Sequence, residues 1–509
     1  MHGLKGRFIV LASAVCAQGI TGTASPVAAQ AEHLDLLNAR IDSLRQEWGI
    51  PGLALAIVRG DSVLLARGYG VRGVEGGEPV DNATLFAIGS TTKAFTAAAM
   101  AMLVSDSVVG WDDRVTEHLP GFVLSDSWIT QEITIRDLLA HRSGLPMANT
   151  MWLTGELDGD QLIRRLRHLE PAAAFRTELT YQNVLYLAAG RIIAARTGSG
   201  WEAFIAERIL TPLGMDRTRT GVARLTAESN VATPHVVLSG EVQAVPYRDI
   251  HAIGPAGSLV SSAGDMAKWL RFQLAGGEIA GRRLVGEDAL LETRRPQVIM
   301  RPDGPLRVLY PDARRLAYAM GWVVAEYRGM ILLDHTGGID GMTSLVALVP
   351  ELDLGVAILT NLQSRLPPYW ALYSVLDHIL GAQPVDRSGD LRAMADQFDA
   401  AIAAAPERTP DAPPSHALAA YAGEYVSRPI GTARVTVRSD NLVLEMGRLS
   451  ATLQPWHFDT FRAHWIDRAW LSAVGPGWVV FQLDRDGRVR GLELTAVSGE
   501  TWTFERTSE

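Results

Sequence analysis

Gly52-Leu53-Ala54-Leu55-Ala56-Ile57-Val58 and Ser62-Val63-Leu64-Leu65-Ala66, joined by Arg59-Gly60-Asp61, read as two strands of a β-hairpin. Strand signatures then disappear for most of the chain and return late. Gly321 to Tyr327, Met330 to Leu333, Thr343 to Val349 and Leu354 to Leu359 are short apolar runs separated by turns. Leu34 to Trp48 and Ser90 to Ser105 carry helical spacing, and Ile135 to about Pro212 is mostly helical in pattern, with loops at Gly144-Leu145-Pro146 and around Thr180. Strands at both ends with helices between them imply an α+β fold. One mostly antiparallel sheet, flanked by helices, would be built from early and late strands, with a helical subdomain inserted between them. Sites tend to form in the groove between two such parts.

A chain of 509 residues, 47% of them hydrophobic, can bury a large core and divides more naturally into two domains than one. Residues 386–414 shift to Ala, Pro and charge, ending in Thr409-Pro410-Asp411-Ala412-Pro413-Pro414, and read as a linker between domains at 30–385 and 415–509. The second domain is predicted to be all-β and barrel-like. Ala433 to Val437 and Asn441 to Glu445 bracket Ser439-Asp440, and Trp478 to Leu483 and Val489 to Leu494 flank Asp486-Gly487, a hairpin turn signal. Its Trp456, Trp465, Trp470 and Trp478 are expected to be core aromatics.

Residues 1–29 have basic residues at Lys5 and Arg7, an apolar run around Phe8 to Val15, and small residues through Pro26-Val27-Ala28-Ala29, the layout of a cleavable signal peptide. Its apolar run is too short to span a bilayer, and no later stretch reads as transmembrane. Cys16, the single cysteine, lies inside that segment, which leaves no disulfide, thiolate nucleophile or Cys-ligated metal in the mature chain. A periplasmic or secreted location follows as an expectation. A net charge of -9 without a basic stripe argues against nucleic acid and points to a small-molecule or peptide substrate. An oligomer is compatible with all of this.

The chain has 44 arginines and three lysines, of which only Lys93 and Lys268 lie beyond the signal segment. A partly buried lysine can be driven to accept a proton, whereas an arginine stays charged. Lys93 stands three residues after Ser90, so on a helix the amine reaches the Ser90 hydroxyl and can help remove its proton as it attacks a carbonyl. The helix N-terminus favours the developing negative charge. The ordinary alternative is a capping serine followed by a surface lysine.

Tyr181-Gln182-Asn183 precedes a helical run from Leu185 to Ala195. A phenol beside an ammonium can relay a proton and an amide side chain can orient a substrate amide, although Asn183 could equally cap the helix. His335-Thr336-Gly337-Gly338 follows the strand Met330 to Leu333. Glycines there let a strand edge approach substrate, and a backbone N–H can pair with that of Ser90 to hold an oxyanion. His335 and Thr336 could bind a substrate carboxylate or polarise the site, or the segment could be a plain turn.

Gly89-Ser90-Thr91-Thr92-Lys93, Tyr181-x-Asn183 and His335-Thr336-Gly337 together resemble, in order and approximate spacing, the motifs of the serine β-lactamases of class C, the penicillin-binding carboxypeptidases and the related D-aminopeptidases and esterases. The stretches Thr134 to Pro146, Pro212-Leu213-Gly214-Met215 and Gly257 to Met266 look similar as well, so the resemblance covers about residues 34 to 385. It implies a β-lactamase-like fold, Ser90 as nucleophile, Lys93 and Tyr181 as the acid/base pair, Asn183 as a substrate ligand, and an oxyanion hole from the Ser90 and Gly338 amides. No cofactor is implied.

β-Lactamases and carboxypeptidases carry lysine where this chain has His335, and a histidine is mostly neutral at pH 7. D-aminopeptidase-like and some esterase-like relatives have histidine there, and some peptidases of the group also carry a C-terminal β-barrel. The expected activity is therefore acyl transfer from an amide, peptide or ester, of D-aminopeptidase/carboxypeptidase-like or esterase-like type. The alternatives are a β-lactamase, or a penicillin or peptidoglycan sensor that acylates without turnover. Ser262 and Asp265 are expected to form a capping box, Lys268 to face solvent, and His141 to brace the Ser143-Gly144-Leu145 loop. Nothing suggests a metal site.

Overall fold

The hairpin at the head of the chain forms as strands β1 (Gly52–Arg59) and β2 (Ser62–Gly70), turning at Gly60, whose φ is +55°. In this computed structural model, residues 26–507 are described, except 365, 406 and 496–499. The signal segment, but for residues 26–29, and Cys16 with it, therefore lies outside the described residues. Among those described, no helix is long and apolar enough to cross a membrane.

The late strands join the hairpin as expected, with two short additions that the apolar runs did not reveal: β3 (Val298–Met300) and β4 (Leu316–Tyr318). With β5 (Val323–Tyr327), β6 (Met330–Ile339), β7 (Met342–Val349) and β8 (Leu354–Thr360) they form one eight-stranded antiparallel sheet in the order β2-β1-β8-β7-β6-β5-β4-β3. Both faces of its centre are buried, so β1, β7 and β8 read as continuous apolar runs rather than alternating ones. Leu53, Leu55 and Ile57 point to one core with helices α1 (Pro26–Glu47) and α6 (Leu366–Ile379). Ala54, Ala56 and Val58 point to the other, with α2 (Thr92–Ser105), α4 (Asn183–Thr197) and α5 (Ala263–Leu274). The inserted helical part also holds the short α3 (Thr150–Leu153).

The segment read as a linker is only partly one. Ser388–Ala403 is a helix, α7, with Leu391 and Met394 buried against the α1/α6 core, and among the described residues of the segment only those flanking it lie outside a helix. Its Ala-rich composition serves a helix as well as a connector.

The C-terminal unit is a closed barrel of eight antiparallel strands, β9 (Gly423–Ser427), β10 (Gly431–Arg438), β11 (Asn441–Met446), β12 (Leu449–His457), β13 (Thr460–Trp465), β14 (Gly477–Leu483), β15 (Val489–Thr495) and β16 (Thr501–Arg506). Pairing of β9 with β16 removes the free edges. Ser439 and Asp440 both take positive φ, +45° and +64°, as a two-residue hairpin requires. Of the four tryptophans, Trp465 and Trp470 are buried, but Trp456 and Trp478 form a half-buried edge-to-face pair, with Arg408 over Trp456 and Arg462 over Trp478. Only half of the aromatic set is core.

Candidate active site

Ser90 lies in a 3-10 turn, Gly89–Thr91, that leads directly into α2. The Lys93 side chain is therefore one turn along, and its Nζ is within hydrogen-bond reach of Ser90 Oγ at 3.0 Å. Asn183 Oδ1 and the Ala256 carbonyl accept two further bonds from the same amine, each at 2.8 Å. Lys93 is fully buried, with no carboxylate among these partners, and burial holds its pKa well below the usual lysine value. Ser90 itself stays partly accessible.

Asn183 is freed for this contact because the preceding residue does the capping. Gln182 Oε1 accepts from Val184 N at 3.0 Å while Gln182 Nε2 donates to the Pro146 carbonyl at 2.8 Å, so Asn183 is the first residue of α4 and not its cap. Tyr181 lies over the same amine, with Lys93 Nζ 4.7 Å from its ring centroid. The His141 ring packs against that of Tyr181, 4.2 Å between centroids.

The third motif is not a turn. β6 continues through His335, Thr336, Gly337 and Gly338, which pair with Val346, Leu345, Ser344 and Thr343 of β7. Two glycines make the close approach possible: a Cβ at Gly337 would fall 1.9 Å from the Ile88 carbonyl, and one at Gly89, where φ is +50°, 2.8 Å from Gly338 N. Gly338, exposed, is thus brought beside the backbone of the Ser90 turn, with Thr336 half-buried behind it. All the predicted site residues converge here, namely Ser90, Lys93, Tyr181, Asn183, His335, Thr336, Gly337 and Gly338.

His335 has no nitrogen to spare. Its Nδ1 donates to the Thr336 carbonyl at 2.6 Å, which leaves Nε2 to accept from the Tyr318 hydroxyl at 3.0 Å. Burial, with the Lys93 charge second, pushes its pKa down to about 3, so the ring is neutral. A neutral imidazole with both nitrogens engaged does not replace the fixed cation that a lysine would bring.

The Beta-lactamase family profile matches residues 37–373. The chain belongs to that family. A second profile, a domain of unknown function (DUF3471), matches residues 407–507, the barrel. Unguisins hydrolase ungD of Aspergillus violaceofuscus is 33% identical over 410 residues, spanning 74% of this chain and 72% of that protein. Penicillin-binding protein 4 of Amycolatopsis lactamdurans is 30% identical over 330 residues, 63% of this chain and 84% of that protein. The structure of the octameric penicillin-binding protein homologue from Pyrococcus abyssi superposes with a TM-score of 0.62 at 22% identity, covering 92% of this chain and 99% of that one. A class C β-lactamase from Rhodobacter sphaeroides gives 0.57 at 22% identity, covering 68% and 99%. These last two share the fold.

Several residues of this β-lactamase-family site carry no signal in the sequence. Asn149 Oδ1 accepts from Asn183 Nδ2 at 2.9 Å and from Trp152 Nε1 at 3.1 Å. Tyr186 lies 5.3 Å from Lys93 Nζ, and its hydroxyl donates to the Leu139 carbonyl. Tyr318 reaches His335 from a short strand near the sheet edge that has no sequence signature of its own.

His141 holds the segment ahead of α4 and not the Ser143-Gly144-Leu145 loop directly: its carbonyl accepts from Thr180 N at 2.8 Å and its Nδ1 from Gln182 N at 3.1 Å, and the same ring packs on Tyr181. The capping box is half formed, for Ser262 Oγ accepts from Asp265 N, but Asp265 Oδ2 turns to Arg217 N, Thr218 N and Thr218 Oγ1. Lys268 is tethered rather than free in solvent, donating to Asp265 Oδ1 at 3.0 Å and to the Gly214 carbonyl. Among the described residues one grouping, Asp113, Glu117 and His118, has the composition of a metal site. His118 accepts from Arg196 Nε at Nδ1 and pairs with Asp113 of the same grouping at Nε2, 3.1 Å.

Proposed function

We propose that this chain is an exported serine hydrolase in which an amide, peptide or ester acylates Ser90 and water releases the product. The observation that carries the reading is Lys93, a buried amine 3.0 Å from Ser90 Oγ whose charged form is disfavoured by burial. As Oγ attacks the carbonyl, its proton passes to that amine. The Ser90 and Gly338 amides receive the oxyanion, and the proton returns to the leaving group through the Lys93/Tyr181 pair. Water then attacks the ester carbonyl by the reverse route.

The neutral, internally paired His335 favours acyl donors that need no cation beside the scissile bond, that is, D-aminopeptidase-like or esterase-like substrates ahead of carboxypeptidase or β-lactam ones. The signal-like layout of residues 1–29 supports export to the periplasm or beyond. A relative named a hydrolase and one named a penicillin-binding protein both fit acyl transfer at this serine. Ser90→Ala should abolish turnover and labelling by a fluorophosphonate, and turnover surviving in that variant would overturn the assignment. A panel of D-alanyl amides, p-nitrophenyl esters and nitrocefin, run on the parent, sorts the substrate classes. Nitrocefin as the best substrate would reverse the ranking of β-lactams below amides and esters.

A further inference from the structure

The barrel reaches the active site through one carboxylate. Glu500, immediately before β16, accepts at Oε1 from Asn149 N (3.1 Å) and at Oε2 from Thr150 N (3.3 Å) and Thr150 Oγ1 (2.8 Å). The indole of Trp502, on β16 itself, also donates to Thr150 Oγ1 at 3.2 Å. Arg448 adds a second grip, its Nε donating to the Leu153 carbonyl and its backbone N to the Thr154 carbonyl, each at 2.8 Å. The barrel therefore holds both ends of the single turn α3.

What α3 carries is the neighbour of Lys93. Asn149, the residue before α3, presents its Oδ1 to Asn183 Nδ2 and to Trp152 Nε1. An amide side chain can rotate to exchange its oxygen and nitrogen, and only one orientation of Asn183 offers an acceptor to Lys93. The acceptor at Asn149 selects that orientation, because the rotated form would bring two oxygens together there and two donors together at Lys93. From these contacts we infer that Glu500 is a positioning residue for acyl transfer: by fixing the Asn149 backbone it locks Asn183, and through it the amine of Lys93, so that the barrel completes the active site of the other domain. The inference rests on the reading of Ser90 and Lys93 as the acylating pair.

Its test measures the second-order rate of Ser90 labelling by a fluorophosphonate across pH, with Tm alongside. In that reaction Ser90 Oγ bonds to phosphorus as the phosphorus–fluorine bond breaks, fluoride leaves, and the hydroxyl proton goes to Lys93. Glu500→Ala should slow labelling roughly tenfold, as slight misplacement of reacting groups commonly does. It should also move the acid limb to lower pH, because Asn183 no longer presents a fixed acceptor to the ammonium form. Glu500→Gln, which keeps one acceptor for the Asn149 and Thr150 amides, should recover most of the rate. Asn149→Ala should cost as much as Glu500→Ala, and the double variant little more than either. Arg165→Ala removes a docking contact away from α3, the 3.0 Å bond to the Arg428 carbonyl, and should label at the parent rate.

Parent rate and limb in Glu500→Ala would overturn the inference. So would losses in Glu500→Ala and Arg165→Ala that merely follow Tm, or losses at Glu500 and Asn149 that multiply. Labelling of Ser90→Ala at the parent rate would instead strike the underlying reading and leave a different signature. Where Glu500→Ala does not fold, the pH limb of Asn149→Ala against the parent decides: a limb moved to lower pH supports the inference and an unmoved one overturns it.

Discussion

The sheet domain and the barrel are both antiparallel β structures with apolar interiors, yet they treat polar groups in opposite ways. The barrel strands alternate inward apolar and outward polar residues, as in β10 and β16, and Ser427 is the one buried polar residue among the described strand positions of the barrel. The sheet domain buries Lys93, His141, Asp334 and His335, every one of them ionisable. Burying such groups is costly unless the charged form is given up or paired. Three of these, Lys93, His141 and His335, gather near the accessible Ser90, and burial disfavours the charged form of each, an arrangement that suits proton transfer. Glu500 is the point at which the barrel serves the sheet domain.

The sharpest way to test that contrast is Lys93→Met, which removes the amine and leaves an apolar chain of similar length in a buried site. Acyl transfer should fall by about 10⁴, at the upper end of what a positioned acid/base group contributes. Tm should hold at or above the parent value, since a buried titratable group has been lost. A matching fall in Tm would mean that Lys93 serves the packing of the domain.

On the other side stands Phe481, buried and edge-to-face with Phe461 at 5.4 Å, with Tyr421 at 4.8 Å. Phe481→Ala should cost about 3–5 kcal/mol of stability in chemical denaturation. The fluorophosphonate labelling rate of the folded fraction should not change. A rate that fell in the folded protein would erase the distinction between the two regions.

A smaller effect is expected from Asp334, which lies in the sheet domain beside His335 but faces the opposite core. The hydroxyls of Tyr310 and Tyr369 donate to its Oδ2 at 3.0 and 3.1 Å, and burial raises its pKa to about 7. The native state thus holds a proton that the unfolded chain releases near pH 4. The group's stabilising contribution is complete below that pH and is lost as pH rises through 7. Asp334→Asn, fixed in the neutral form, should therefore gain stability over the parent at pH 8 by about 3 kcal/mol more than at pH 5, each pKa unit being worth about 1.4 kcal/mol. An equal gain at both pH values would show that Asp334 does not titrate in this range.

Much of this was open to reading along the chain. Ser90 and Lys93 are three residues apart, and helical geometry alone brings their side chains together. The hairpin at 52–66, the late apolar strands and the turns at Ser439-Asp440 and Asp486-Gly487 are likewise local, because turn chemistry and periodicity act over a few residues. Strands β3 and β4 escaped because they are three residues each, too short for a pattern. The helix at Ser388–Ala403 escaped because its composition suited a connector equally well.

Sequence by itself determined most of the long elements and the nearness of Lys93 to Ser90, three residues apart at the start of a helix. Tertiary structure alone decided the state of that pair and its surroundings. Whether Lys93 is desolvated depends on Asn183 and Ala256, which are distant in the chain, and whether His335 can meet a carboxylate depends on Tyr318 taking its free nitrogen. The link from Glu500 to Asn149 joins residues on different domains. Periodicity and motif spacing report only on neighbours, while burial and hydrogen-bond occupancy, the quantities that set protonation, are sums over every group the fold brings near.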